Sequence, residues 1–404
     1  KHTLGIVLSL RNLGHHVDFI GTARSICCFA PGPGGLTTSE DEFLSDDKTE
    51  FLHKVYKYEY DIIIPIGARS VLTMAKLNNK LPMITRCHIA DSDKLEICLD
   101  KRLTLEYAKN IGLSTPFSFE MASISDVEKL SGSMFPVVIK GFDEVNKWGP
   151  VYCDSRNEAR EALVSYNFEQ PILAQERIFG DGYGFFALYS YGKMVSYYCH
   201  KRIRESPPQG GVSVSAKTIH CKRLFDTGKK LLDSLSWHGV AMVEFKKDSE
   251  SGGYILMEVN PKFWGSHDLA LSAGVNFPKM IIDGIDFDLT GGIYSTLHYK
   301  KDIFFHWPLD GDLQTMFFSI KRFKNVICDL LNYKVNNNIH WASPMLFFAQ
   351  CREFILTIIL KTKFILFLRS AFWRCRTIGV KYTAYRLITE YTGIPLRLLL
   401  NEAG

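Results

Sequence analysis

The chain has 404 residues, 46% of them apolar and 23% charged, a composition that sustains packed cores and excludes wholesale disorder. That length exceeds one ordinary core and implies two or three domains. A net charge of +5 is too small over this length to point to nucleic acid, although residues 295–404 carry 15 Lys and Arg against 7 Asp and Glu, which concentrates the positive excess in the tail.

Leu4, Val7, Leu8, Leu10 and Leu13 recur at helical spacing up to Gly14, and a strand follows around residues 17–20. Residues 61–65 read as a second strand, with a helix from Ser70, so the N-terminal part has the pattern of parallel β/α winding. Such a unit opens on a strand, and one is expected upstream of Thr3. Residues 100–109 read as a helix. An α+β stretch comes next, with strands at 136–140 and 171–175 around a helix at 156–166. Residues 185–191 and 195–204 read as a hairpin turning at Gly192 and Lys193. A helix over 222–235 then leads to strands at 240–246 and 254–259, joined by a Ser-Gly-Gly turn.

The ten cysteines contain no C-x-x-C pair, and no uncharged apolar run reaches the length of a membrane span. Reduced thiols in a cytoplasmic protein are the expectation. Phe347, Cys351, Phe354, Ile355, Ile358, Ile359 and Leu366 recur at helical spacing, with Arg352, Lys361, Lys363 and Arg369 among them and Phe372, Trp373, Arg374 and Arg376 after them. This basic helical tail is open to two readings: peripheral contact with a membrane surface, or packing on the body or across a homodimer.

The chemistry concentrates where the last two strands end. Glu244 closes one apolar run and Glu258 the next, with Asn260, Pro261 and Lys262 following. Two facing carboxylates and an amide carbonyl make an oxygen-only site of the kind Mg²⁺ uses when nucleotide phosphates complete its shell. Singly, each acid would pass for a strand-end surface residue. Lys101 opens a helix, where the dipole and free N–H groups favour phosphate, and Lys140 ends an apolar strand as a cleft point charge. Strand alternation sets His200, Arg202 and Arg204 on one face, which reads equally as an exposed basic strand balanced by Glu205 or as a face from which an arginine holds a carboxylate or a transferring phosphoryl group.

The run Met257-Glu258-Val259-Asn260-Pro261-Lys262-Phe263-Trp264-Gly265-Ser266 resembles the metal-binding strand of ATP-grasp enzymes, and most closely that of the carboxylate–amine ligase-like branch. The resemblance covers residues 4–286. It implies an α/β and α+β architecture: an N-terminal βα domain over 1–98, a nucleotide-clasping region over 99–290 with a small lid at about 115–178, and a helical basic extension over 291–404. It implies Glu244, Glu258 and Asn260 as metal ligands, Lys101 and Lys140 on ATP phosphates, and Gln175, Glu176, Arg177 and Ile178 as the adenine hinge. Asp181, in a glycine-rich loop, is implied for the ribose, and Arg202, Arg204 and Lys262 for the reacting groups. Lys262 stands where the branch has arginine, which keeps the charge but loses the bidentate fork. The activity implied is ATP-dependent activation of a small-molecule carboxylate as an acyl phosphate for attack by an amine, with Mg²⁺, or Mn²⁺ in its place, as the metal. A non-catalytic nucleotide-binding scaffold is the alternative. A dinucleotide oxidoreductase would need a G-x-G-x-x-G after a strand, which the sequence lacks.

Overall fold

The computed structural model describes residues 2–22, 25–142, 148–208, 210–284, 298–316 and 319–359. Its largest element is a seven-stranded sheet. The strands in chain order are β1 (Phe19–Gly21), β2 (Leu36–Ser39), β3 (Ser118–Met121), β4 (Val137–Lys140), β5 (Val151–Cys153), β6 (Ile172–Glu176), β7 (Gly180–Ser190), β8 (Lys193–Ser206), β9 (Val212–Thr218), β10 (Gly239–Asp248), β11 (Tyr254–Asn260), β12 (Phe304–His306) and β13 (Asn336–Asn337). The central sheet runs β11-β10-β7-β8-β9-β12-β13, a four-stranded sheet runs β3-β6-β4-β5, and β1 pairs in parallel with β2.

The central sheet is covered on both faces, which is why β7 reads as an unbroken apolar run rather than an alternating one. On one face Phe185, Tyr189, Val243, Phe245 and Leu256 pack against Leu224, Leu231 and Leu232 of helix Lys222–Ser234, and against Leu95 and Cys98 of helix Ser92–Leu99. On the other, Phe186, Leu188, Tyr198, Val240 and Met242 pack under Trp264, Leu269 and Phe277, with Ile6 and Leu10 of helix His2–Arg11 beyond them. The smaller sheet has its own core, in which Met121, Val137, Ile139 and Ile172 meet Ala159 and Leu163 of helix Arg156–Leu163.

Three expectations are corrected here. Residues 61–65 do not form a ladder: only Ile62 bridges, to Arg86 in parallel. The segment still alternates like a strand, with Ile62, Ile64 and Ile66 against one core and Ile63 against another, so its apolar pattern reports packing without a hydrogen-bonded neighbour. The glycine-rich stretch 180–184 is not a loop but the start of β7, paired to β10 from Gly180 onward. Gly180 has φ +147°, and a Cβ there would lie 1.9 Å from the Lys247 carbonyl oxygen, so a close antiparallel approach is what requires it.

The third correction concerns the tail, which is not only helical, because β12 extends the central sheet by pairing antiparallel with β9. Helix Ile320–Leu331 follows, and a helix over 344–359 returns to the N-terminal part, where Leu346 joins Leu4, Val7 and Phe19. Phe347, Cys351 and Phe354 are half-buried on it, whereas Ile355, Ile358 and Ile359 are exposed. The first half of the proposed stripe is therefore packed on the body. Leu366, Phe372, Trp373 and the basic residues from Lys361 to Arg376 lie outside the described residues. Among the described residues no helix is long and apolar enough to cross a membrane.

Candidate active site

Glu244 and Glu258 are directly opposite residues of the antiparallel pair β10 and β11, so their side chains leave the sheet on the same face at adjacent positions. Asn260, two residues on, shares that face, and its Nδ2 donates to Glu258 Oε1 at 3.0 Å. Glu244, Glu258 and Asn260 thus form one contiguous oxygen-rich group at the end of the sheet.

Cations surround it. Lys101, at the first turn of helix Lys101–Asn110, lies 3.4 Å from Glu258 Oε2. That helix is capped by Asp100, which accepts from the backbone N–H groups of Arg102 and Leu103. Lys140, the last residue of β4, donates to Gln175 Oε1 of the neighbouring β6 at 2.8 Å, while Gln175 donates onward to Ser118 Oγ at 3.2 Å, and the Lys140 charge acts on Glu258. Arg202 Nη2 is 2.6 Å from Glu244 Oε1.

Burial and this charge pattern set the titrations. Burial raises the Glu258 carboxyl, but Lys101, Lys140, the Asn260 hydrogen bond and Arg202 outweigh it and hold the carboxyl well below the usual range. Burial pushes Glu244 up, and Glu258 and Glu205 add to this against the opposing pull of Arg202. The two acids therefore respond oppositely although they are neighbours. Burial, aided by the charge of Lys101, lowers the Lys140 ammonium to about 8.

The remaining site residues divide. Arg204 does not join Arg202. Two register irregularities in β8 between Arg202 and Glu205 send Arg204 instead to a buried cluster, where Nε and Nη2 donate to the two carboxylate oxygens of Asp312 at 2.7 and 2.6 Å and Nη1 lies 2.7 Å from Asp329. His200 is fully buried, and both its ring nitrogens lack a hydrogen-bond partner. It packs on Phe186 and Tyr198, with burial and Arg202 holding it neutral.

Lys262, just after the end of β11, lines a narrow, largely apolar crevice with Ile63, Ile64, His88, His238 and Ile281. The cations acting most strongly on Glu258 are Lys101, Lys140 and Arg202 instead.

In the hinge, the N–H of Glu176 donates to Phe117 O and that of Arg177 to Pro136 O, so these two donors are engaged inside the protein. Glu176 Oε2 accepts from Phe117 N, and the Arg177 guanidinium lies over the rings of Tyr152 and Phe179, with Asp154 at 3.3 Å. Ile178 is buried, and Asp181 pairs with Lys201 at 2.6 Å.

One residue was missed from the sequence. Lys246 Nζ donates to Ile178 O at 3.0 Å, tying the hinge to the strand that carries Glu244. Its position two residues after Glu244 was the available signal. Burial lowers its ammonium.

The donor set fits a divalent cation: two adjacent carboxylates and an amide, all oxygen, on a face lined with phosphate-complementary lysines. Among the described residues no group of three or more His, Cys, Asp or Glu could hold a metal, so the shell would have to be completed by Asn260, phosphate oxygens and water.

No family model matches the chain. It is 26% identical over 214 residues to the vancomycin/teicoplanin A-type resistance protein VanA of Enterococcus faecium, a match covering 47% of this chain and 62% of that one. The biotin carboxylase domain of Hydrogenobacter thermophilus 2-oxoglutarate carboxylase, solved as a dimer with MgADP, ADP and bicarbonate, superposes with a TM-score of 0.59 at 13% identity, over 74% of this chain and 70% of that one. The L-amino acid ligase of Bacillus licheniformis superposes with a TM-score of 0.52 at 19% identity, over 70% of this chain and 71% of that one. These likenesses show the fold of this chain to be the ATP-grasp fold.

Proposed function

We propose that this chain is an ATP-dependent ligase that activates a small-molecule carboxylate for attack by an amine. The observation that carries the reading is the paired acids Glu244 and Glu258, adjacent across β10 and β11, with Lys101, Lys140 and Arg202 converging on them. Similarity of fold to an L-amino acid ligase supports an amino acid as the carboxylate. Glu244, Glu258 and Asn260 would hold Mg²⁺, which when bound supplies charge neutralisation for the phosphates.

The chain's own residues do the rest. Lys101 and Lys140 neutralise and orient phosphate oxygens, Gln175 fixes the Lys140 ammonium, and Lys246 steadies the hinge on which the base would lie. Arg202 stands where negative charge accumulates as a carboxylate oxygen attacks the γ-phosphorus and ADP departs. The amine nitrogen then displaces phosphate from the acyl carbon.

The test is a panel of ¹⁸O-carboxylate amino acids, hydroxy acids and sugar acids incubated with amines and MgATP. The expected result is ADP formation dependent on one acid, with ¹⁸O appearing in the released phosphate. MgATP binding without acid-dependent ADP release across the panel would favour the scaffold reading.

Lys140 gives a second check. Its ammonium titrates near 8, and a polyphosphate beside it favours the charged form, so nucleotide binding takes up a proton above that pH. MgADP affinity is expected to be flat below pH 7 and to fall by up to roughly tenfold per pH unit above about 8. Lys140→Arg, always charged, should abolish the slope when measured by calorimetry. A slope unchanged in Lys140→Arg would remove Lys140 from the phosphate site.

A further inference from the structure

We propose that Arg202 and Glu205 form an exchange clasp: Arg202 covers Glu244 while the acid pair holds no cation, and Glu205 retains the guanidinium once a cation takes Glu244. The inference rests on the metal reading of Glu244 and Glu258 and adds a positioning role for Glu205.

The guanidinium is divided between two carboxylates. Nη2 lies 2.6 Å from Glu244 Oε1, and Nη1 lies 3.2 Å from Glu205 Oε1 and 3.5 Å from the Gly211 carbonyl oxygen. All three side chains are largely buried, so the contacts are only weakly screened by solvent. A divalent cation on Glu244 would sit beside the guanidinium that now holds Oε1, and the two positive charges on one weakly solvated carboxylate repel each other. Glu205 lies outside the acid pair, so its bond to Nη1 survives the exchange and keeps Arg202 at the edge of the site rather than releasing it to solvent. Glu205 is itself anchored, since its carbonyl accepts from Arg322 Nη1 at 3.3 Å.

The fold makes room for this arrangement at one position. A Cβ on Gly182 would lie 2.7 Å from Arg202 Cδ and 2.9 Å from Glu205 Oε1, so a side chain there would have to push Arg202 or Glu205 aside. Gly182 pairs with Lys246 on β10, close to the acid strand's own irregularity after Glu244.

The clasp makes Arg202 a competitor of the metal. Mn²⁺ binding without nucleotide, followed by electron paramagnetic resonance on the whole chain, is expected to be at least tenfold tighter in Arg202→Gln than in wild type. Gly182→Ala tests the same idea without changing charge: it pushes the arginine aside and is expected to tighten Mn²⁺ at least threefold. Unchanged or weaker Mn²⁺ binding in both variants, while wild type still binds Mn²⁺·ADP, overturns the clasp and leaves the metal reading standing. Failure of wild type to bind Mn²⁺·ADP overturns the metal reading and the clasp together.

Discussion

Glu258→Gln is expected to lower ATP turnover at least about 100-fold while leaving the fold intact. The substitution keeps volume and shape but removes one of two adjacent negative charges on which a cation would depend. It also removes the charge that pairs with Lys101 at 3.4 Å and, with it, a main counter-charge for Lys140. Two effects should therefore separate in calorimetry. Mn²⁺·ADP binding weakens because the cation loses a ligand. Nucleotide binding without metal does not weaken, because the lysines face one carboxylate fewer. Glu244→Gln should share the first effect, and its influence on the lysines should be smaller because its partner is Arg202. A folded Glu258→Gln chain with turnover within threefold of wild type would refute the acid pair as the metal site.

Asp312→Ala is expected to give the largest loss of stability of any single change in the ion-pair network, about 3–5 kcal/mol. Asp312 is fully buried and receives both Nε and Nη2 of Arg204, as well as His306 at 3.0 Å. Removing it leaves a buried guanidinium with Asp329 as its remaining carboxylate partner. The pair also predicts an acid limb. Burial raises the Asp312 carboxyl, but His306 and Arg204 outweigh this and hold it below its ordinary value. Its contribution to stability is thus fully present above the unfolded-state value near 4 and is lost as pH falls through the lowered folded-state value. Urea unfolding at pH 7 and at pH 3 measures both. A loss under 1 kcal/mol at pH 7 would mean that Arg204 finds water or another partner. Asp312→Asn should lie between, since an amide still accepts one bond but carries no charge.

The Arg204 cluster also shows how the tail serves the site. Asp312 and Asp329 lie beyond the nucleotide-clasping region read from the sequence, yet they hold β8 two residues from Arg202. The chain after residue 300 is in this respect part of the same body as the central sheet: β12 extends it, Asp312 and Asp329 hold Arg204, and Arg322 holds the Glu205 backbone.

The sequence by itself determined the local parts of the site. Glu258 and Asn260 are two apart on a strand and must share a face, and a short turn makes Glu244 their neighbour, so spacing alone brings these three together. Lys140 at a strand end and Lys101 at a helix start were legible for the same reason. The helix over 222–235 and the strand at 240–246 were legible too, and the structure forms them as Lys222–Ser234 and Gly239–Asp248. What the tertiary structure decided is whatever depends on partners distant in the chain. Residues 61–65 look like a strand because they alternate between two cores, but a ladder needs a neighbouring backbone, and pattern does not supply one. Strand alternation set Arg202 and Arg204 on one face only as long as β8 stayed regular. Its irregularities break that parity, and the carboxylate that captures Arg204 comes from 108 residues away. A period-2 rule carries a side chain's direction only as far as the backbone keeps its register. Beyond that point, the charge that lies nearest in space, not in sequence, decides what an arginine does.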